Sequence, residues 1–346
     1  MRCLATLSLC AFLMLGAACT SRKPGVEVDS ARLVIFKALP PFMDSAANPI
    51  TEEKVALGRM LYYDARLSKG QDVSCNSCNE LSNYGVDNQP VSDGDQGQKD
   101  TRNSPTVYNA AGHFVQFWDG RAPTVEEQAK GPILNPVEMA MPSEKRALAV
   151  VYSMPEYVAA FQRAFPGEKH PVTFDNLAKA IGAFERKLVT VSRWDKFLGG
   201  DRAALSDAEK AGLNTFLDAG CQNCHNGVYM GGSMFQKLGL AKPWANTNDP
   251  GRFAVTKQEA DRMVFKVPTL RNVEKTAPYF HDGSIATLEE AVRQMADHQL
   301  ARTLTKEEAG SIASFLKALT GDLPTEYIKE PPLPKSTAKT PKPDKA

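Results

Sequence analysis

Cys221-Gln222-Asn223-Cys224-His225 decides the reading of this chain. Two thiols three residues apart, with an imidazole directly after the second, form the attachment pattern for a c-type haem. A short helical turn puts both sulfurs and the ring on one face of a porphyrin. The thiols then add across its vinyl groups and the imidazole reaches the iron. The same residues are compatible with a zinc or disulfide pair beside an incidental histidine, but their setting favours haem. Ser206-Asp207-Ala208-Glu209 is a capping box, and Leu213, Phe216 and Leu217 continue from it as an apolar stripe leading into Cys221. Downstream, Thr287-Leu288-Glu289-Glu290 caps a helix that carries Met295. A thioether opposite histidine raises the reduction potential of a haem, although helical methionines are usually core filler.

A second pair stands upstream as Cys75-Asn76-Ser77-Cys78-Asn79, with asparagine where the iron ligand belongs. An amide nitrogen has no available lone pair and an amide oxygen is a weak, hard donor, so Asn79 is a poor partner for haem iron. A helical stretch over 53–63 precedes this pair as the capped helix precedes Cys221. Thr173 opens a helix with Leu177, Ile181, Phe184 and Leu188 on one stripe. Thr305-Lys306-Glu307-Glu308 caps another, with Ile312, Phe315, Leu316 and Leu319, stopped at Gly321. No run of alternating strands appears. The expected fold is all-α, mostly helical, with two cytochrome c-like domains and long loops. The expected divisions are a linker over 19–45, a first domain over 46–190 and a second over 191–325. A disordered tail is expected over 326–346, because residues beyond 330 are Lys/Pro-rich.

The chain has 346 residues, 42% hydrophobic and 23% charged, enough for two domains with ordinary cores. A formal net charge of +1 excludes a phosphate-tracking nucleic-acid binder. Arg2 followed by an apolar stretch over 4–18 reads as an export signal too short to span a bilayer. Leu15-Gly16-Ala17-Ala18-Cys19 resembles a bacterial lipoprotein cleavage site, which would make Cys19 a lipid anchor; the alternative is an ordinary signal peptide cut near Ala18. Either way the expectation is the periplasm. Of seven cysteines, Cys3 and Cys10 leave with the signal and Cys19 is the lipid candidate, so the two C-x-x-C pairs account for the rest.

Five further segments carry a resemblance. They are Thr101-Arg102-Asn103-Ser104-Pro105-Thr106, Gln116-Phe117-Trp118-Asp119-Gly120-Arg121-Ala122, Asn135-Pro136-Val137-Glu138-Met139, Val267-Pro268-Thr269-Leu270-Arg271-Asn272-Val273, and Ala277-Pro278-Tyr279-Phe280-His281-Asp282-Gly283. Together with the cysteine pairs, over roughly residues 45–325, the chain resembles the bacterial dihaem cytochrome c peroxidases and the related methylamine-utilisation haem enzymes. The resemblance implies a C-terminal electron-transfer haem on Cys221 and Cys224, ligated by His225 and Met295. It implies an N-terminal peroxide site on Cys75 and Cys78, with Trp118 as the relay between haems and Glu138 moving protons. It also implies calcium held by Asn103 and the carbonyls of Thr276 and Pro278, with His281 near the domain interface. The implied partners are hydrogen peroxide and a small donor, a cytochrome c or cupredoxin; homodimers are frequent in the family.

Two positions depart from the family pattern. Asn79 stands where the first haem's proximal histidine belongs, and Asp95, in Ser92-Asp93-Gly94-Asp95-Gln96-Gly97, stands where its second histidine belongs. His113, His170 and His298 offer little replacement. One expectation is therefore a peroxidase whose first iron carries water or Asp95. The other is a non-catalytic single-haem electron carrier in which Cys75 and Cys78 form a disulfide. A redox-active disulfide at that pair is a third, weaker reading.

Overall fold

The computed structural model describes residues 25–344; the signal segment and Cys19 lie outside them. The helices are α1 (Glu52–Tyr63), α2 (Cys75–Cys78), α3 (Val125–Leu134), α4 (Glu144–Tyr152), α5 (Pro155–Ala164), α6 (Phe174–Glu185), α7 (Arg193–Leu198), α8 (Asp207–Ala219), α9 (Phe253–Thr256), α10 (Leu288–Leu300) and α11 (Lys306–Lys317). Two short strands, β1 (Phe235–Lys237) and β2 (Val264–Lys266), pair antiparallel with Gln236 opposite Phe265. The architecture is mostly helical, as expected.

The helix starts are set locally. Thr51, Thr173 and Thr287 accept main-chain N–H bonds at the starts of α1, α6 and α10, and Ser206–Glu209 and Thr305–Glu308 form reciprocal capping boxes on α8 and α11. Each such cap stabilises its helix by about 1 kcal/mol. Packing does the rest, through two large apolar cores and a small cluster of Trp244, Met263 and Phe265. The first joins α1 and α3–α6, with Leu57, Leu61, Phe161, Ile181 and Phe184 fully buried. The second joins α7, α8, α10 and α11 around Trp194, whose ring meets Phe36, Phe197 and Phe315 at 5.3–5.7 Å.

The two cores are built on the same device. In the first, α1 crosses α6 at Gly58, where a Cβ would lie 1.9 Å from the Ala180 carbonyl oxygen. In the second, α8 crosses α11 at Gly212, where a Cβ would lie 2.0 Å from the Ser311 carbonyl oxygen. Only glycine lets the backbones approach this closely. Each crossing fixes a helix that feeds a C-x-x-C segment.

Polar side chains join the halves. Thr190 Oγ1 accepts from Asn109 and Asn272 amides at 2.9 Å each. Arg102 grips Asp249 through two bonds of 2.6 and 2.8 Å and Asp119 through a third of 2.6 Å. Within the second half, Arg271, fully buried, pairs with Asp195 at 2.7 Å.

Both flanking segments depart from the expected picture. The linker region contributes Leu33 and Phe36 to the second core. The tail expected to be disordered lies along the first half. Arg66 donates to the Pro334 carbonyl and Ser336, Gln71 to the Pro341 carbonyl, and Thr337 to the Ser153 carbonyl. Tyr327 stacks on Phe184, and Ile328 enters the first core. Composition gives little apolar surface for ordering this tail, but its main-chain carbonyls meet arginine and glutamine donors that only the fold brings together.

Candidate functional site

One cavity takes in both C-x-x-C segments and the residues between them. At its second-core end, Gly220, with φ of +88°, turns the chain from α8 into Cys221. Cys221 and Cys224 are partly buried free thiols facing this cavity. His225 is buried and holds Nδ1 on the Met230 carbonyl at 3.2 Å, so Nε2 is the nitrogen left for a metal. Burial pushes the imidazole down to about 4, so it is neutral at pH 7, the form that ligates. Met295, with Val292 and Ala296 on α10, lines the same space. Two thiols, a fixed neutral imidazole and a thioether around an apolar void suit a c-type haem.

The first-core end has the void without the base. Cys75 and Cys78 open onto it from α2, with Tyr62, Val73, Ala129 and Pro132 in its walls. Asn79 donates through its amide to the carbonyls of Gly85 (3.2 Å) and Pro105 (3.0 Å), and its own main-chain carbonyl accepts from Tyr62 (2.8 Å). These residues fit the ring and its thioether links but supply no imidazole for the metal. Burial pushes Cys78 up to about 11 and Cys75 higher still, so nothing here activates a thiolate for disulfide chemistry.

The expectation that Asp95 stands near the first iron is corrected. Asp95 is 1% exposed, and its carboxylate accepts from the Gly70 N–H at 2.9 Å. Its own N–H bonds the Glu138 carbonyl at 2.6 Å. Ser92 and Gly94 of that loop line the cavity; Asp95 does not. His170 and His298 are also outside it, and His298 is held on the Lys242 carbonyl at 3.0 Å.

Glu138 faces the first-core end. Burial pushes its carboxyl up, partly offset by an Asn135 amide bond of 2.7 Å. Trp118 lines the cavity; its indole N–H donates to the Asn103 carbonyl at 2.8 Å and its ring lies 6.5 Å from His281. Asn103, Thr276 and Pro278 line the same cavity. His281, stacked on Phe265 at 4.4 Å, is 2% exposed. Sequence reasoning missed Glu185 and Lys266, ionisable side chains buried at the cavity wall. Neither sits in a spacing pattern; only the packing shows that they face inward.

Paired thioether-forming sites around a shared void define a class, the c-type cytochromes with two attachment positions. The chain belongs to the di-haem cytochrome c peroxidase family: the family model matches residues 52–203, and relatives match well beyond them. It is 49% identical to the cytochrome c551 peroxidase of Nitrosomonas europaea, over 86% of this chain and 88% of that one. It is 45% identical to the cytochrome c551 peroxidase of Pseudomonas aeruginosa, over 89% and 90%. Among solved structures, a MauG-like protein associated with microbial copper homeostasis superposes with a TM-score of 0.74 at 29% identity, over 85% of this chain and 97% of that chain. No helix among the described residues is long and apolar enough to cross a membrane.

Proposed function

We propose that this chain is an exported c-type cytochrome of two cytochrome c-like domains, 46–190 and 191–325. It reduces hydrogen peroxide to water in the periplasm with electrons from a small cytochrome c or cupredoxin. The observation that carries this reading is the single cavity lined by Cys221, Cys224, His225 and Met295 and also by Cys75, Cys78, Glu138 and Trp118. Bound haem supplies the redox chemistry. His225 through Nε2 and Met295 through its sulfur would hold the iron of the haem at the second site, and Trp118 would serve as the electron relay between the sites.

The overall reaction takes one peroxide, two electrons and two protons to two waters. Glu138 manages protons: burial raises its proton affinity, so its carboxylate can take a proton from one peroxide oxygen and return it to the other. Asn79 holds its carbonyl partners and contributes no base, so no step is assigned to it. Calcium would be held by the side-chain oxygen of Asn103 with the Thr276 and Pro278 carbonyls, hard oxygen donors suited to that ion.

Asn79 and the averted Asp95 favour a second reading, a single-haem carrier in which Cys75 and Cys78 are oxidised to a disulfide. Intact mass of the matured protein with a pyridine haemochrome ratio separates the two. Two haems per chain, with peroxide turnover from a reduced small cytochrome, is the expected result. One haem with two hydrogens fewer overturns the enzyme reading.

A further inference from the structure

Lys266 is a fully buried ammonium with no carboxylate beside it. It ends β2 and is 5% exposed. Its main-chain N–H bonds the Trp118 carbonyl at 2.7 Å. Its ammonium reaches the Val115 carbonyl at 3.2 Å and His113 Nδ1 at 3.5 Å. An ammonium has three hydrogens, so these partners leave at least one without an acceptor. No carboxylate among the described residues lies within ion-pair distance of it. Asp119, the acid whose charge it feels, is already engaged by Arg102 at 2.6 Å and Arg121 at 3.1 Å. A buried charge left in this state is costly.

His113 cannot supply the counter-charge. It is 8% exposed, packs edge-on against Tyr229 at 5.3 Å and presents Nδ1 to an ammonium, so burial first and the facing charge second hold the ring neutral. The ring lies over Gly232, where a Cβ would stand 2.4 Å from its Cδ2. Thus Lys266 and His113 both belong to the second haem's surroundings. Val267, next to Lys266, accepts from the Gly232 N–H at 2.8 Å and donates to the Met234 carbonyl at 3.0 Å. That loop begins at Met230, whose carbonyl orients His225. Lys266, His113, Cys221, Cys224 and His225 all line one cavity.

The geometry points to Lys266 as the anchor for a carboxylate side chain of the haem attached at Cys221 and Cys224, with His113 steering the ammonium toward it. A porphyrin of this type carries its anionic carboxylates on the edge away from its vinyl carbons. Once the thioether links and His225 fix the ring, a carboxylate is the anion the cavity admits. The main chain of Lys266 is hydrogen-bonded to that of Trp118, so the residue also adjoins the segment through which electrons would pass. A positive charge there favours the reduced haem and holds the second site's potential up. This inference rests on haem being attached at the second site.

The test uses the matured full chain and reads the haem, not turnover. In the wild type, the resonance Raman band of the haem carboxylates is expected to shift on exchange into D2O, because an N–H donor becomes N–D. Lys266→Met is expected to abolish that shift and move the second haem's midpoint potential in the negative direction, with the His/Met absorption bands kept. Lys237→Met, removing an exposed lysine on β1, is expected to leave both unchanged. A wild-type band indifferent to D2O overturns the inference without any variant having to fold. So does a Lys266→Met midpoint equal to wild type with the bands intact. Absence of haem from the second site in the haemochrome assay overturns the proposed function itself, and this inference with it.

Discussion

The two C-x-x-C segments sit in matched frames and differ in the residue directly after the second cysteine. Each is fed by a helix that crosses its partner at a glycine, Gly58 of α1 against α6 and Gly212 of α8 against α11. Each opens onto the same cavity. At the second, the next side chain is an imidazole whose Nδ1 is tied to the Met230 carbonyl. At the first it is an amide whose nitrogen is tied to the Gly85 and Pro105 carbonyls. The main chain thus offers a carbonyl acceptor in both places, to an imidazole in one and to an amide in the other. A frame for a ring can outlast the base that ligates its metal.

The strongest way to break this comparison is to put the first site's residue into the second. His225→Asn is expected to remove the His/Met absorption signature and reduce donor-coupled peroxide turnover to background, checked by visible spectra and a stopped-flow donor assay. Retention of the signature would mean that the second site does not depend on its imidazole. Next comes the proton handler, Glu138→Gln, which should keep haem content and lower turnover by about 10²–10⁴-fold, the usual range for loss of a positioned acid–base group. The converse exchange, Asn79→His, sharpens the comparison. An imidazole N–H there would meet the same carbonyls, restoring the electron push that cleaves O–O bonds. Turnover is expected to rise by roughly ten-fold or more, measured with the same reduced donor.

The chain shows plainly in sequence what is local. The capping boxes at Ser206 and Thr305, the stripe on α6 and the run into Cys221 are short-range patterns, and each forms the expected helix. The cavity residues Trp118 and Glu138 are legible only through motif resemblance, since a lone tryptophan or glutamate has no spacing to betray it. Buried charge is not legible at all. Lys266 and Glu185 read as ordinary polar positions. Asp95 reads as a cavity residue because alignment fixes a residue's place in a loop but not the direction of its side chain. The order of the tail is hidden for a related reason: it comes from donors on Arg66, Gln71 and Arg146, remote in sequence.

Acid groups draw a further contrast between the cores. Glu185, at the end of α6, leaves Oε2 without a hydrogen-bond partner, and burial followed by the charge of Glu126 pushes it up to about 8 from an ordinary 4.5. The native chain therefore binds this proton more tightly than the unfolded chain. The stabilisation is complete below about pH 4.5 and is lost as pH rises through about 8. In the second core Glu209 goes the other way. Burial pushes it up, but the Arg193 ion pair and Ser206 bonds outweigh that and hold it below its ordinary value. Its contribution is present above its unfolded pKa and lost on acidification. Glu185→Gln should leave stability at pH 5 nearly unchanged and raise it at pH 8, with roughly 4 kcal/mol as a ceiling. Urea unfolding at the two pH values measures it, and a variant as pH-sensitive as the wild type would remove Glu185 from the account.

The smallest expected effect concerns the asymmetry at the chain's end. Among the described residues only the first core is strapped by the tail, through Arg66 to Pro334 and Ser336, Gln71 to Pro341, Arg146 to Lys342 and Thr337 to Ser153. Several of these bonds are exposed, and a net hydrogen bond contributes only about 1 kcal/mol before the entropy of ordering the strap is set against it. Deleting residues 331–346 should therefore cost about 1–2 kcal/mol, a fall of a few degrees in melting temperature for a chain of this size. The loss should be local. Hydrogen exchange should quicken in 66–72, where the strap meets the segment whose Gly70 N–H holds Asp95, and stay unchanged around α8 and α11. Equal loosening of both halves would show that the tail acts on the whole molecule instead of on the core that lacks the imidazole.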